Sequence, residues 1–425
     1  MPSVIEQFRA VTSALAPAGR RLLAARFWRS IAQGALVVDL ALYLHALRWS
    51  GPAIGGVLTG AGIVGAACGL AVGLTSDRLG RKPFLLAYEA LCTACGLVAL
   101  STTRTIPLAA AIVLAGFGRG ANGSAGPFAP AEQAWLAEAT EPGTRGLVFS
   151  LNSALGFTGM AIGAMVGILP SFLEHSLGAA GSYRPLFLVV ILGNAVNLLL
   201  LWHAQEGAKS STRAAAAAGP VPRDPPERTP QQENRFLRRL AALNGLNGLA
   251  AGLTGPLMAY WFALRFHAGP ASIAPVMAAA FLTTAAAALL SGNLTRRSGL
   301  VNVVVWGRSG GLVLLLIMPL MPVYALAALL HVLRSALNRG TVGARQALVV
   351  SAVRNERRGL ASSINALSGQ IPQSIGPTLA GSLIGAGWFI APFYMAAALQ
   401  GLYLFFYRRA FRSLEADLRG QARSP

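Results

Sequence analysis

The chain has 425 residues, of which 54% are hydrophobic and 12% charged, and its formal net charge is +20. Soluble proteins carry about 25% charged residues, so this composition excludes an ordinary soluble domain. The basic residues fall between apolar runs rather than along one face, which makes the excess charge a matter of membrane topology and excludes a nucleic-acid-binding surface. Cys68, Cys92 and Cys95 imply no disulfide framework, and the pair at 92 and 95 lies in an apolar run without a nearby histidine, which argues against a metal centre.

Residues 1–26 read as a cytoplasmic lead-in without the apolar core and cleavage site of a secretory signal. Six apolar segments follow, at about 27–47, 53–73, 83–103, 106–138, 146–169 and 185–203, the fourth kinked by Pro127 and Pro130. Residues 204–239 contain an alanine run, clustered prolines and mixed charge, the composition of a flexible linker. Six more segments are expected at about 240–264, 271–291, 300–318, 323–347, 359–385 and 388–407, ahead of a basic tail over 408–425. The fold class expected is therefore an all-α polytopic membrane protein with 12 transmembrane helices, arranged as six-helix bundles over 27–203 and 240–407. Even-numbered connections carry Arg78, Arg81, Lys82, Arg145, Arg296, Arg297, Arg354, Arg357 and Arg358, whereas odd-numbered ones carry Arg48, Arg104, Arg184 and Arg265. That bias puts both termini in the cytoplasm and suits a multi-pass protein of a bacterial inner membrane.

The connection after the second segment reads Gly73-Leu74-Thr75-Ser76-Asp77-Arg78-Leu79-Gly80-Arg81-Lys82, a charged island between long apolar runs. It resembles the loop signature of the major facilitator superfamily, G-x-x-x-D-R-x-G-R-K/R, with every fixed position filled. Gly118-Arg119-Gly120-Ala121-Asn122-Gly123 resembles the family's fourth-helix motif, whose arginine is linked to proton coupling. The run from Gly159 to Gly167 resembles the fifth-helix motif of the family's antiporters, although Ala164 stands for its proline and Ile168 for its last glycine. The turn from Glu138 to Arg145 resembles a further cytoplasmic loop of the family. The resemblance implies alternating access, with Gly73, Asp77, Arg78, Gly80, Arg81, Lys82, Glu138 and Arg145 forming a charged cluster that closes a cytoplasmic gate.

An internal repeat supports the two-bundle reading. The stretch Ala46-Leu47-Arg48-Trp49-Ser50-Gly51-Pro52-Ala53 returns, with one insertion, between Ala263 and Ala271, and Gly73–Gly80 returns in degraded form as Gly292–Gly299. Parallel six-helix repeats with substrate at their interface are a known transporter plan. The copies differ in charge, because Asp77 corresponds to Arg296 and Glu89 to Arg308.

Asp39 is the leading proton-coupling candidate, since an acid at membrane depth is costly and normally faces a cavity or a partner; Arg119 is the partner expected, and Glu89 is the second acid. Tyr43, Asn122, Asn244, Asn247, Tyr260, Arg308, Arg334 and Gln370 are expected to contribute to a substrate cavity. Nothing reads as a nucleotide-binding loop, a hydrolytic triad or a metal motif, so an enzyme is not expected and the proton gradient stands in place of a cofactor. The function expected is proton-coupled export of amphipathic small molecules by a monomer in the lipid bilayer. The alternatives are uptake or exchange of an anionic metabolite and, from another class, a non-transporting membrane receptor or lipid-handling scaffold.

Overall fold

A computed structural model describes residues 15–119, 126–140, 145–206, 230–298, 300–339 and 358–423, together with 341 and 345. In chain order the described helices are α1 (Pro17–Ala46), α2 (Gly51–Leu79), α3 (Lys82–Ser101), α4 (Thr105–Ala115), α5 (Ala129–Glu138), α6 (Arg145–Val166), α7 (Leu169–Gly181) and α8 (Pro185–His203). The second half supplies α9 (Pro230–Thr254), α10 (Met258–Phe266), α11 (Pro270–Ser298), α12 (Leu300–Ile317), α13 (Tyr324–Arg339), α14 (Arg358–Gly385) and α15 (Ala391–Arg423). Six of them, α2, α3, α6, α8, α11 and α12, contain stretches long and apolar enough to cross a membrane. Proline opens several of these helices, where the missing N–H costs no hydrogen bond: Pro17 in α1, Pro52 in α2, Pro83 in α3 and Pro185 in α8.

Several boundaries depart from the sequence reading. α1 begins at Pro17, so part of the expected lead-in is helical and buries Leu22, Leu23 and Arg26. The fourth segment is two helices, because α4 ends at Gly116 in the left-handed region (φ +69°) rather than bending at the later prolines. The expected external loop after the fifth segment folds as α7. The seventh segment is cut between α9 and α10, around Gly255 and Pro256. α9 also takes in the last ten residues of the expected linker, and α15 continues through most of the expected tail. Both extensions have the same cause, since Phe236, Leu237, Leu240 and Leu243 pack with Tyr403, Tyr407 and Phe411 in one apolar seam.

The two halves meet through α2 against α14 and through α6 against α11. Chain direction gives every crossing a basic end, where Arg81 and Lys82 lie, and an opposite end, where α1 stops and α2 starts. The close contacts between halves lie toward the opposite end. A Cβ on Gly55 would stand 2.2 Å from the carbonyl oxygen of Pro377, and one on Gly51 would stand 2.3 Å from that of Gly381. Only residues without side chains allow backbones this close. Thr378 completes the contact by donating from its hydroxyl to Thr59 Oγ1 at 2.7 Å. Nearby, the rings of His45 and Tyr260 lie 5.4 Å apart, and the Ala271 N–H donates to Ser171 Oγ at 3.0 Å.

The apolar core follows the same division. One cluster joins both halves, running from Leu40 and Ile54 to Phe262, Ile384 and Phe393. Toward the basic end the clusters separate, with Leu22, Leu85 and Trp135 in the first half and Phe236, Tyr403 and Phe411 in the second. Among the described residues the halves are therefore closed at the opposite end and have separate cores toward the basic end. In a background free of the native cysteines, the double variant Thr59→Cys/Thr378→Cys should cross-link efficiently under mild oxidation. Adding Gly55→Leu should sharply lower the yield, because the side chain props α2 away from α14; an unchanged yield would show that this contact does not set the closure.

Candidate functional site

A cavity opens beside the contact between α2 and α14, toward the basic end. Leu58, Gly62, Gly65 and Ala66 line it from the first half and Gln370, Gln373, Ser374 and Pro377 from the second. Gln370 thus stands at the interface, as the sequence suggested. Arg119 also lines the cavity, with its guanidinium in a slot between two glycines. A Cβ on Gly65 would lie 1.3 Å from its Nη1, and one on Gly116 would lie 1.6 Å from its Nη2. Its hydrogen bonds run to the carbonyl oxygens of Gly116 (3.2 Å, from Nε) and Ala115 (3.3 Å, from Nη2). Backbone oxygens satisfy donors without cancelling charge, so the cavity wall keeps a cationic group.

Asp39 is not beside Arg119. It is 0% exposed, and neither carboxylate oxygen has a hydrogen-bond partner among the described residues. Its Oδ2 approaches the turn at Gly167, where a Cβ would be 2.4 Å away. The expected Asp39–Arg119 pair does not form, because Arg119 is directed toward α2 and Asp39 toward the end of α6. Tyr43 is buried between Phe187 (ring centroids 5.6 Å) and Tyr183 (6.1 Å), inside the first bundle rather than on the cavity. Tyr260 is likewise packed into the interface, on His45, and not on the cavity wall.

Glu89 does not reach an interface. It is 0% exposed and accepts from Arg29 Nε at 2.6 Å, while Arg29 Nη1 donates to Glu132 at 2.5 Å. This triad joins α1, α3 and α5, with the buried Arg26 close by. Neither Arg29 nor Glu132 was singled out from the sequence. A charge tally over the first half would have flagged them, since burying one acid in a membrane bundle calls for a cation of its own.

In the second half, Arg308, Arg334 and Asn244 make polar contacts. Arg308 Nη1 donates to Asn247 Oδ1, and the guanidinium lies 5.6 Å over the Tyr403 ring. Gln400 donates to the Arg308 carbonyl oxygen at 3.1 Å and to Asn338 Oδ1 at 3.3 Å. Arg334 donates to Thr254 Oγ1 at 3.2 Å. Asn244 donates to Asn365 Oδ1 at 2.9 Å and lines a small separate pocket with Arg345, Tyr403 and Tyr407. Asn244, Asn247, Arg308 and Arg334 are thus interior groups of the second bundle, outside the lining of the central cavity.

At the basic end the expected gate residues make a different connection. Arg81 pairs with Glu138 at 2.6 Å. Glu206, which sequence reasoning missed, accepts the backbone N–H groups of Arg81 (2.8 Å) and Lys82 (3.2 Å), capping the start of α3. Lys82 Nζ in turn donates to the carbonyl oxygens of Trp202 (2.7 Å) and Ala204 (2.9 Å) at the end of α8. Gly80 turns the chain with φ +93°, and a Cβ on Gly73 would meet nothing within 4 Å. Each of these contacts lies within the first half and ties that bundle together. Asn122 and the side chains of Asp77, Arg78 and Arg145 lie outside the described residues.

A broken-helix architecture in two six-crossing halves, with a polar cavity at their interface, defines a secondary-transporter fold. The Major Facilitator Superfamily model matches residues 22–239 and 240–424, and the chain belongs to that family. No curated protein matches it. Among solved structures it is similar to a point mutant of the nucleoside transporter NupG, with 13% identity and a TM-score of 0.71, covering 93% of this chain and 100% of that one. A bacterial homolog of the human lysosomal transporter Spinster, in an inward-facing and occupied conformation, has 14% identity and a TM-score of 0.67 over 93% and 96% of the two chains. The human organic anion transporter MFSD10 has 17% identity and a TM-score of 0.61 over 92% and 99%. At these identities the likeness establishes the fold. With the family established, the protein is a polytopic membrane transporter that works by alternating access.

The buried acids should respond differently to neutralisation. Glu132→Ala strands part of the Arg29 charge and should cost about 3–5 kcal/mol, read as a clearly lower thermal unfolding midpoint in detergent. Asp39→Asn breaks no described hydrogen bond and should leave that midpoint within a degree or two. Equal losses in both variants would mean that the triad is not the structural fastening of the first bundle.

Proposed function

We propose that the protein is a proton-coupled secondary transporter that exports amphipathic small molecules, with Asp39 as the group that takes up and releases the proton. The observation that carries this reading is the Asp39 carboxyl, fully buried with no described hydrogen-bond partner, at the end of the molecule where the halves are closed. A group there is dry when this end is shut and reachable by water when it opens, and that difference links a carboxyl proton to the conformational cycle. The distribution of arginine and lysine favours a cytoplasmic basic end in a bacterial inner membrane, so the conformation described would face inward. The cargo would bind between Arg119 of the first half and Gln370 and Gln373 of the second, which are mobile relative to one another during rocking. The cluster of Arg81, Glu138, Lys82 and Glu206 would act by keeping the first bundle rigid as it rocks.

A second reading, uptake or exchange of an anionic metabolite, is favoured by the cationic cavity wall at Arg119. The two readings separate in proteoliposomes loaded with the full-length protein and given an imposed pH gradient. Lipophilic cations and organic acids are the probes. Gradient-driven flux of an amphipathic probe should be present in the wild type and lost in Asp39→Asn, with gradient-free exchange retained. Identical pH dependence in the two proteins would remove Asp39 from the coupling, and flux confined to organic acids would favour the second reading.

A further inference from the structure

One acid of the second half, Glu233 at the start of α9, is buried, but the sequence beyond it is poor in carboxylates. From Asn234 to Leu414 the sequence holds one carboxylate, Glu356, in the arginine-rich connection before α14. Arg308 is nonetheless only 8% exposed. Its Nη1 is used by Asn247 and its face by Tyr403, while Nε is buried without a hydrogen-bond partner among the described residues. The Nε of Arg334 is in the same condition. Arg334 and Arg345 both lie within electrostatic range of Arg308, and Arg345 lines the adjoining pocket with Asn244, Asn365, Tyr403 and Tyr407. Guanidinium groups gathered in a low-dielectric interior repel one another, and unused N–H donors there are costly. Hydrogen bonds donated to Asn247 Oδ1 and Thr254 Oγ1 orient these groups but bring no negative charge.

We propose that this cluster is an anion-binding site, in which Arg308, with Arg334 and Arg345 around it, receives a small oxyanion: a carboxylate or phosphate, free or as the acidic group of a cargo. The planar guanidinium fork suits such oxygens, and Nε–H is the donor left open for them. Asn247 and Tyr403 hold the guanidinium, and Gln400 holds the Arg308 backbone carbonyl, as a site for a repeatedly bound ion requires. The site is separate from the central cavity at Arg119. As a cargo contact it rests on the transport reading, but as a binding site it does not depend on proton coupling.

Thermal unfolding of the purified full-length protein tests it without any gradient, with succinate and inorganic phosphate as probes against sodium chloride at equal ionic strength. In the wild type at least one oxyanion should raise the midpoint saturably by about 3 °C or more, half of it at low millimolar concentration. Arg308→Gln should abolish the rise. Asn247→Ala, which only frees the guanidinium, should need about tenfold more anion for the same effect, and it carries the test if Arg308→Gln does not yield folded protein. A probe that raises the midpoint in its free form identifies a free ion as sufficient; a rise only with larger organic acids assigns the site to cargo, and both support the proposal. No anion-specific rise, an equal one with chloride, or one that survives in Arg308→Gln and disappears in Arg119→Gln would overturn it. Failure here leaves Asp39 coupling untouched, and failure of gradient-driven flux leaves this binding result untouched.

Discussion

The contact between α2 and α14 governs the shape of everything else. Gly51, Gly55 and Gly381 let two backbones touch where any side chain would hold them apart, and the Thr59–Thr378 hydrogen bond sits in the same line. Because this contact lies at one end of both helices, the halves form one core there and two separate cores at the other end. The cavity is the wedge left between them, and its polar lining comes from the helix turns directly below the contact. Pro372 and Pro377 inside α14 let that helix bend while keeping the approach.

Charge is distributed according to a different rule in each half. In the first, α1 and α3 are joined by Arg29 and Glu89, with Glu132 of α5 completing the set, so two carboxylates and the neighbouring arginines balance inside the bundle. In the second, the corresponding helices α9 and α12 are joined by Asn247 and Arg308, and no carboxylate takes part. The duplication therefore preserved the places where helices are fastened but not the chemistry of the fastening. Around Arg29 the fastening is ionic; around Arg308 it is made by polar groups.

The fold was largely legible in the sequence because apolar stretches of membrane length, punctuated by arginine, admit few arrangements. Breaks inside crossings were harder to see. Gly116 ends α4 and Gly255-Pro256 interrupts the seventh crossing, yet glycine and proline are common in membrane helices and do not announce which of them acts. The extensions of α9 and α15 were hidden because arginines surround the seam of Phe236, Tyr407 and Phe411 and give the local composition a solvated character. For the site, rare polar residues such as Asp39, Arg119, Arg308 and Gln370 stood out, but their partners did not. A partner depends on the rotation of each helix about its axis, and depth alone cannot supply that. This is why Asp39 and Arg119, plausible partners by depth, face different neighbours, and why Glu132 and Glu206 were overlooked.

Glu206 has a mechanical consequence. Its carboxylate holds the first amides of α3, while Lys82 holds the last carbonyls of α8, so the turn after the second crossing and the end of the sixth are fastened to each other from both directions. The polypeptide thus leaves the first half from an anchored point on a stiff body rather than from a fraying helix end. When that body tilts, the point of departure must travel with it, and the chain runs on from there to α9. The length of that connection then acts as a tether, setting how far one half can swing relative to the other.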